Sequence, residues 1–229
     1  MPTILRKIEP KCLKLLIFDL DGTLIDSRVD LVNSVNATLK HFSRAELPAG
    51  VIATYVGDGA PMLMRRALGD PEDQNFVRQA LEFFLGYYRE HKLDHTHLYP
   101  GIIDVLASLQ KGQNGLSRQL AVLSNKPVNP SRQIVQALGI GDFFSAIYGG
   151  NSFATKKPDP EGARRLMQEA GAGPEETVVI GDSAVDMLTG RNAGAWTCGV
   201  TYGFAPHTLE DAPPDVLVDS PEELVEVLE

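Results

Sequence analysis

An apolar run from Lys14 to Leu20, KLLIFDL, is broken near its end by Asp19 and closed by Asp21-Gly22-Thr23. Short apolar runs bounded by turn residues make fully buried strands of parallel sheets. A buried strand that ends on two carboxylates, one residue apart, constrains a chain severely. Desolvating both is costly unless a cation lies beside them. Gly22 permits a tight turn, and such a turn leaves backbone N–H groups and the Thr23 hydroxyl free to meet an anion. The stretch Leu16–Asp26, LIFDLDGTLID, therefore points to a metal ion and a phosphate meeting at a strand's C-terminal end. An Asp-Gly turn alone is ordinary turn chemistry, so the reading depends on what later strand ends carry.

Downstream the pattern changes from strand to helix. Asp26 or Ser27 can cap a helix through Val29, Val32, Val35 and Leu39, spaced by three and four residues. After the loop Tyr55-Val56-Gly57-Asp58-Gly59, a second helix is expected over 60–68. A third, over 72–90, carries Phe76, Leu81, Phe83, Phe84 and Tyr87 near one side. Residues 28–96 hold no strand pattern and read as a helical insert, with 1–27 and 97–229 forming the rest. From Tyr99 onward strands and helices alternate. Helices are expected over 101–111, 130–138, 160–170, 184–193 and 221–228, and strands over 119–123, 145–148, 177–181, 196–201 and 215–218. That alternation predicts an α/β fold with a doubly wound parallel sheet. A chain of 229 residues holds such a core plus a small inserted domain. Ligands of these sheets bind outside the carboxyl ends of the strands.

Three later strand ends carry chemistry. QLAVL ends in Ser124-Asn125-Lys126, where a hydroxyl and an amide can donate to a phosphate oxygen. The loop Lys156-Lys157-Pro158-Asp159-Pro160 is stiffened by two prolines that can present Lys157 at a fixed angle. TVVIG runs into Asp182-Ser183-Ala184-Val185-Asp186, and acids four residues apart share a helix face. Each has a plain alternative: turn chemistry, solvated lysines, or acids complementing a helix dipole. Together they offer what Mg²⁺ takes, hard oxygen ligands with partial hydration. Asp19, the Asp21 carbonyl and Asp182 are the candidate ligands, with serine and lysine left for the phosphate oxygens.

In sequence order these four elements resemble the four motifs of the haloacid dehalogenase (HAD) superfamily, whose members are mostly phosphatases. The resemblance spans nearly the whole chain and implies a Rossmann-like core with a helical cap over 28–96. It implies Asp19 as the nucleophile that becomes phosphorylated and Asp21 as general acid and base, oriented by Thr23. Leu20, Thr23, Ser124, Asn125 and Lys157 become phosphate contacts. Mg²⁺ would be held by Asp19, Asp21 and Asp182, with Asp186 behind them. Lys156 competes with Lys157, and the position directly before proline favours Lys157. For the acid role, the surroundings of Asp21 must favour its protonated form. The string TYVGDGAPMLMRRAL further resembles the cap of bacterial phosphoglycolate phosphatases, whose glycine loop faces the active site, and this adds Gly57, Asp58 and Gly59 as substrate contacts. The implied activity is Mg²⁺-dependent hydrolysis of a small phosphorylated metabolite, 2-phosphoglycolate first, through an aspartyl-phosphate.

Other small phosphomonoesters and sugar phosphates stay open, as does phosphotransfer of the β-phosphoglucomutase kind. Relatives of that kind tend to carry a cap-loop arginine where this chain reads Gly57-Asp58-Gly59-Ala60, although Arg65 and Arg66 lie only one or two turns on. Asp21 speaks against dehalogenation. Lys40 and Lys92 are the cap's only lysines and neither suits phosphonate chemistry. Nothing supports an inactive binding protein on the same scaffold. His91, His95 and His97 fall at the return from the insert without nearby cysteines and read as solvated or hinge residues. Phe83, Phe84, Tyr87 and Tyr88 read as the insert's own core, and Trp196 as packing. The net charge of −9, with no basic stripe, argues against nucleic acid. Cys12 and Cys198 match no metal or disulfide pattern. No apolar stretch approaches the ~20 residues that span a bilayer, and residues 1–12 lack a signal peptide's apolar core, so no membrane partner and a cytoplasmic location are expected.

Overall fold

A computed structural model describes residues 1–112 and 117–229. Its main sheet has seven strands in the order β1-β9-β8-β7-β2-β5-β6. These are β1 (Thr3–Ile4), β2 (Leu15–Phe18), β5 (Gln119–Leu123), β6 (Phe144–Tyr148), β7 (Thr177–Gly181), β8 (Trp196–Val200) and β9 (Val216–Val218). All neighbours run parallel except β1 and β9. The chain adds β5 and β6 on one side of β2, then β7, β8 and β9 on the other, so the strand order reverses at β2. Such a switch point is where doubly wound sheets open a crevice.

The expected strands and helices of the core are present, each shifted by no more than a residue or two at most ends. β2 is shorter than the expected 14–20 because the ladder stops at Asp19, whose N–H meets the Ile180 carbonyl. The Leu20 carbonyl then accepts from Thr23, Leu24 and Ile25, which closes the turn. Strand side chains alternate between two apolar clusters, as a pleat requires. Leu16, Phe18, Leu120, Val122, Val178 and Ile180 pack on one face. Leu15, Ile17, Ala121, Leu123 and Val179 pack on the other. The helices α5 (Ile102–Lys111), α6 (Val128–Ala137) and α9 (Glu223–Leu228) cover the first face, while α7 (Glu161–Ala170) covers the second and α8 (Ala184–Ala193) packs on β7 and β8. The core is Rossmann-like.

Residues 28–91 contain α1 (Arg28–His41), α2 (Ala49–Ala53), α3 (Ala60–Ala67) and α4 (Gln74–His91), around a cluster that includes Val35, Leu39, Ile52, Met64 and Phe84. The buried side of α1 keeps Val35 and Leu39 of the expected face, with Val32 packed at its edge, but is wider and more polar than expected. It comprises Asp30, Leu31, Ser34, Val35, Thr38 and Leu39, whereas Val29 is half exposed. Polar residues are tolerated there because Ser34 and Thr38 donate to the carbonyls four residues back. α4 begins at Gln74 rather than 72 because the Asp73 carboxylate caps the N–H groups of Asn75 and Phe76. On α4, Phe84 and Tyr88 are buried, but Phe83 and Tyr87 stack outward on His41 and His91. The aromatic group is therefore split between core and surface.

The two crossings between these helices and the sheet lie side by side. β3 (Ile25–Asp26) pairs antiparallel with β4 (His97–Leu98). The buried Asp30 carboxylate accepts from the N–H of His95 and Thr96 and from the Thr96 hydroxyl at 2.7–3.0 Å. His91 and His97 hydrogen-bond to Asp94 and to the His95 carbonyl, so the histidines diverge. Among the described residues, no helix is long and apolar enough to cross a membrane.

Candidate active site

The parallel register sets Phe18 beside Val122 on one neighbour and Ile180 on the other. Asp19, Ser124 and Asp182 consequently leave the sheet within a residue of the same level. Gly22 turns the chain at φ +85°, and a Cβ there would collide with the Asp182 carboxylate. Only glycine meets both demands.

Asp19, Asp182 and Asp186 place one carboxylate oxygen each within 4.8 Å of the others. Lys157, only 5% exposed, lies 2.6 Å from Asp186 Oδ1 in a hydrogen bond and 2.8 Å from Asp19 Oδ1 in an ion pair outside hydrogen-bond angles. Burial works against the Lys157 charge, but Asp186 and Asp19 outweigh it and hold the ammonium above its ordinary range. One cation among three acids, Asp182 and Asp186 buried and Asp19 partly so, leaves negative charge uncompensated. Burial pushes Asp19 up to about 6, with Asp186 adding to the rise against the pull of Lys157. Burial, Asp186 and Asp19 together push Asp182 up to about 8, against the N–H donors of Phe204 and Ala205.

Protons or a cation can relieve that crowding. A hard divalent cation such as Mg²⁺ fits this donor set, since Asp19 and Asp182 retain strained charge on oxygen ligands. Asp186 is less free to bind one: Oδ1 takes Lys157 and Oδ2 takes the N–H and hydroxyl of Ser183, in a capping box that opens α8. The Asp21 side chain stands apart from this group, leaving its backbone as its route to a metal.

Asp21 has different neighbours. Lys126 Nζ is 2.8 Å from both of its oxygens, and the Ser27 hydroxyl donates to Oδ1. The expected supporter, Thr23, makes no such contact: its hydroxyl is buried without a hydrogen-bond partner and the residue does not line the pocket. Ser27 was expected only as a helix cap, but Asp26 takes the N–H of Arg28 and leaves the Ser27 hydroxyl for Asp21. An ammonium, rather than an apolar wall, therefore lies against Asp21, the reverse of the surroundings expected to favour its protonated form. The Lys126 charge is opposed by burial and upheld by Asp21 and Tyr88, with the net effect upward.

The pocket above these acids is lined by Ser124, Asn125, Gly57 and Gly59 among others. Leu20 is fully buried in the core, so only its backbone can reach a phosphate. Asn125 does not hold its amide nitrogen free for phosphate. It donates to the carbonyls of Gly57 and Lys157, tying the helical layer to the core. Asp58 is not a pocket residue: its carboxylate holds Arg66 and its carbonyl accepts from Lys156. That separates the two lysines, with Lys157 inside the cluster and Lys156 on the loop. Arg65 pairs with Asp70 and Gln74, so neither arginine offers a free charge to the pocket. Tyr88, expected as packing, also lines the pocket, and burial pushes its phenol up to about 12 against the pull of Lys126.

Residues 16–200 match the family described as Haloacid dehalogenase-like hydrolase. The chain belongs to that family. Among proteins similar to this haloacid dehalogenase-like hydrolase is the phosphoglycolate phosphatase of Chromobacterium violaceum, 36% identical over 222 residues, covering 95% of this chain and 97% of that one. The phosphoglycolate phosphatase of Haemophilus influenzae (strain ATCC 51907 / DSM 11121 / KW20 / Rd) is 35% identical over 224 residues, covering 94% and 98%. The crystal structure of a predicted phosphoglycolate phosphatase from Haemophilus somnus 129pt superposes with a TM-score of 0.88 at 30% identity, covering 95% and 99%.

Proposed function

We propose that this phosphoric monoester hydrolase acts on 2-phosphoglycolate through an aspartyl-phosphate on Asp19, in a site that Asp19 and Asp182 complete with Mg²⁺. The observation that carries the reading is the separation of the two acids of one strand end. Asp19 faces Lys157 and two further carboxylates, while Asp21 is held apart by Lys126 and Ser27. Two acids in unlike surroundings suit two roles. When bound, Mg²⁺ would neutralise phosphate charge beside the nucleophile.

Asp19 Oδ attacks phosphorus as the P–O bond to the alcohol breaks, and the ion pair of Asp21 with the Lys126 ammonium gives a proton to the departing oxygen. Asp21 then takes a proton from water, which attacks the acyl phosphate and frees Asp19 and inorganic phosphate. Lys157 and the Ser124 hydroxyl hold phosphate oxygens, and positioning supplies most of the acceleration. The helices of residues 28–96 act as a cap that excludes water and selects the leaving group. Substrate choice rests on the similarity of this chain to phosphoglycolate phosphatases over nearly its full length.

The test is phosphate release across 2-phosphoglycolate, sugar phosphates, nucleotides and pyrophosphate with Mg²⁺, in wild type and D19N. We expect 2-phosphoglycolate to lead and D19N to be inactive. Full activity in D19N would end the nucleophile assignment, and equal rates across the panel would end the substrate assignment.

A further inference from the structure

The cluster of acids accounts for one half of a phosphomonoester, and the opposite half of the pocket has its own pattern. Leu31, Val56, Leu63, Phe84, Leu85 and Phe204 make its wall apolar. Among the described residues lining it, Lys126 is the one cation. Lys157 is engaged by two acids, Lys156 by the Asp58 carbonyl, and Arg66 by the Asp58 carboxylate.

Lys126 is 8% exposed and reaches in from the end of β5. An ammonium has three N–H donors. Two can serve the Asp21 oxygens at 2.8 Å, which leaves a third. The Tyr88 ring lies 4.8 Å from Lys126 Nζ, and Tyr88, on α4, is 4% exposed with its hydroxyl buried and without a hydrogen-bond partner. A buried hydroxyl left unpaired is costly, so it marks a place where an acceptor belongs. One charged donor and one neutral donor on an apolar wall match a carboxylate. A polyol would bury several hydroxyls against Leu31, Val56, Leu63, Phe84 and Leu85, side chains that accept no hydrogen bond.

We propose that Lys126 and Tyr88 form the subsite for a carboxylate on the alcohol half of the substrate, so that the preferred substrates are phosphate esters of small hydroxy acids. This rests on the phosphatase reading above and adds to it the residues that choose the leaving group. A site built around such a donor pair should reject the analogue that lacks the acceptor.

The experiment compares kcat/KM for 2-phosphoglycolate and ethyl phosphate, with Mg²⁺, in wild type, Y88F and K126M. Wild type should favour 2-phosphoglycolate by on the order of 100-fold or more. That ratio should fall roughly tenfold in Y88F, mainly through KM, and further in K126M. K126M also strips Asp21 of its partner and slows both esters, so the ratio rather than the rate is decisive. Ratios within about twofold of wild type in both folded variants would overturn the subsite. So would wild type hydrolysing ethyl phosphate as well as 2-phosphoglycolate. Calorimetric titration of the Mg²⁺-loaded wild-type protein with glycolate is the second measurement, needed if either variant fails to fold by circular dichroism. Saturable binding supports the subsite and its absence overturns it. If wild type releases phosphate from no ester, the phosphatase reading falls, and the glycolate titration still decides on the subsite.

Discussion

Replacing Asp30 with alanine should cost the protein more stability than any single truncation on the outer face of α1. Its carboxylate receives three donors from the returning chain: the N–H of His95, the N–H of Thr96 and the Thr96 hydroxyl. His95 is exposed and its N–H can turn to water, but Thr96 is 6% exposed and both of its donors would stay buried and unpaired. At ~1–3 kcal/mol for each buried group left unsatisfied, D30A should lose ~2–6 kcal/mol. For a chain of this size that lowers Tm by roughly 4–24 °C. D30N keeps one acceptor oxygen and the side chain's shape, so it should lose about half as much. Thermal unfolding followed by circular dichroism reads both. A D30A midpoint within ~2 °C of wild type would refute the reasoning, because it would mean that the donors find water when the carboxylate is gone.

With Asp182 held near 8 and Asp19 near 6, the metal-free folded state binds more protons than the unfolded chain between about pH 4 and 8, so its stability should fall as pH rises through that window. Mg²⁺ replaces those protons and should therefore raise Tm more at pH 8.5 than at pH 5.5; equal shifts would sink the idea that the acids are charge-frustrated. S27A removes a donor to Asp21 while leaving Lys126 in place, and kcat should drop on the order of tenfold with KM little changed. A raised KM at constant kcat would assign Ser27 to binding instead. G22A puts a Cβ at positive φ against Asp182, and the Mg²⁺ concentration giving half-maximal activity should rise at least roughly tenfold; an unchanged metal requirement would show that the turn can shift.

The four strand ends were legible because each joins an apolar run to residues that an apolar run does not tolerate. What stayed hidden depends on pairs far apart in sequence. Lys126 stands in the same string as Ser124 and Asn125, yet a loop lysine reads as solvated, and nothing local announces that its partner is Asp21, 105 residues away. Ser27 takes the role expected of Thr23 for a similar reason. Either hydroxyl is close enough in sequence to serve Asp21, and only the turn made by residues 20–25 decides between them. Tyr88 belongs to a run of aromatics whose helical spacing cannot tell a core position from a pocket wall. The strands β1, β3 and β4 have two residues each, too few to show a period, and α2 has five.

Ser27 is also the last residue before α1, the first of the overlying helices. Its hydroxyl is thus fixed at one end by the Asp21 carboxylate and at the other by where that helix begins. A shortened protein made by joining Ser27 directly to His97 would keep the strand, Asp19, Lys157 and Asp182. It would lose the helix start that aims Ser27, the Asp30 anchor and the Tyr88 ring over Lys126. The helical segment is therefore not an accessory clipped onto a finished site. Part of the proposed site is assembled only when that segment is in the chain, so a graft that replaces it must carry the first residues of α1 along.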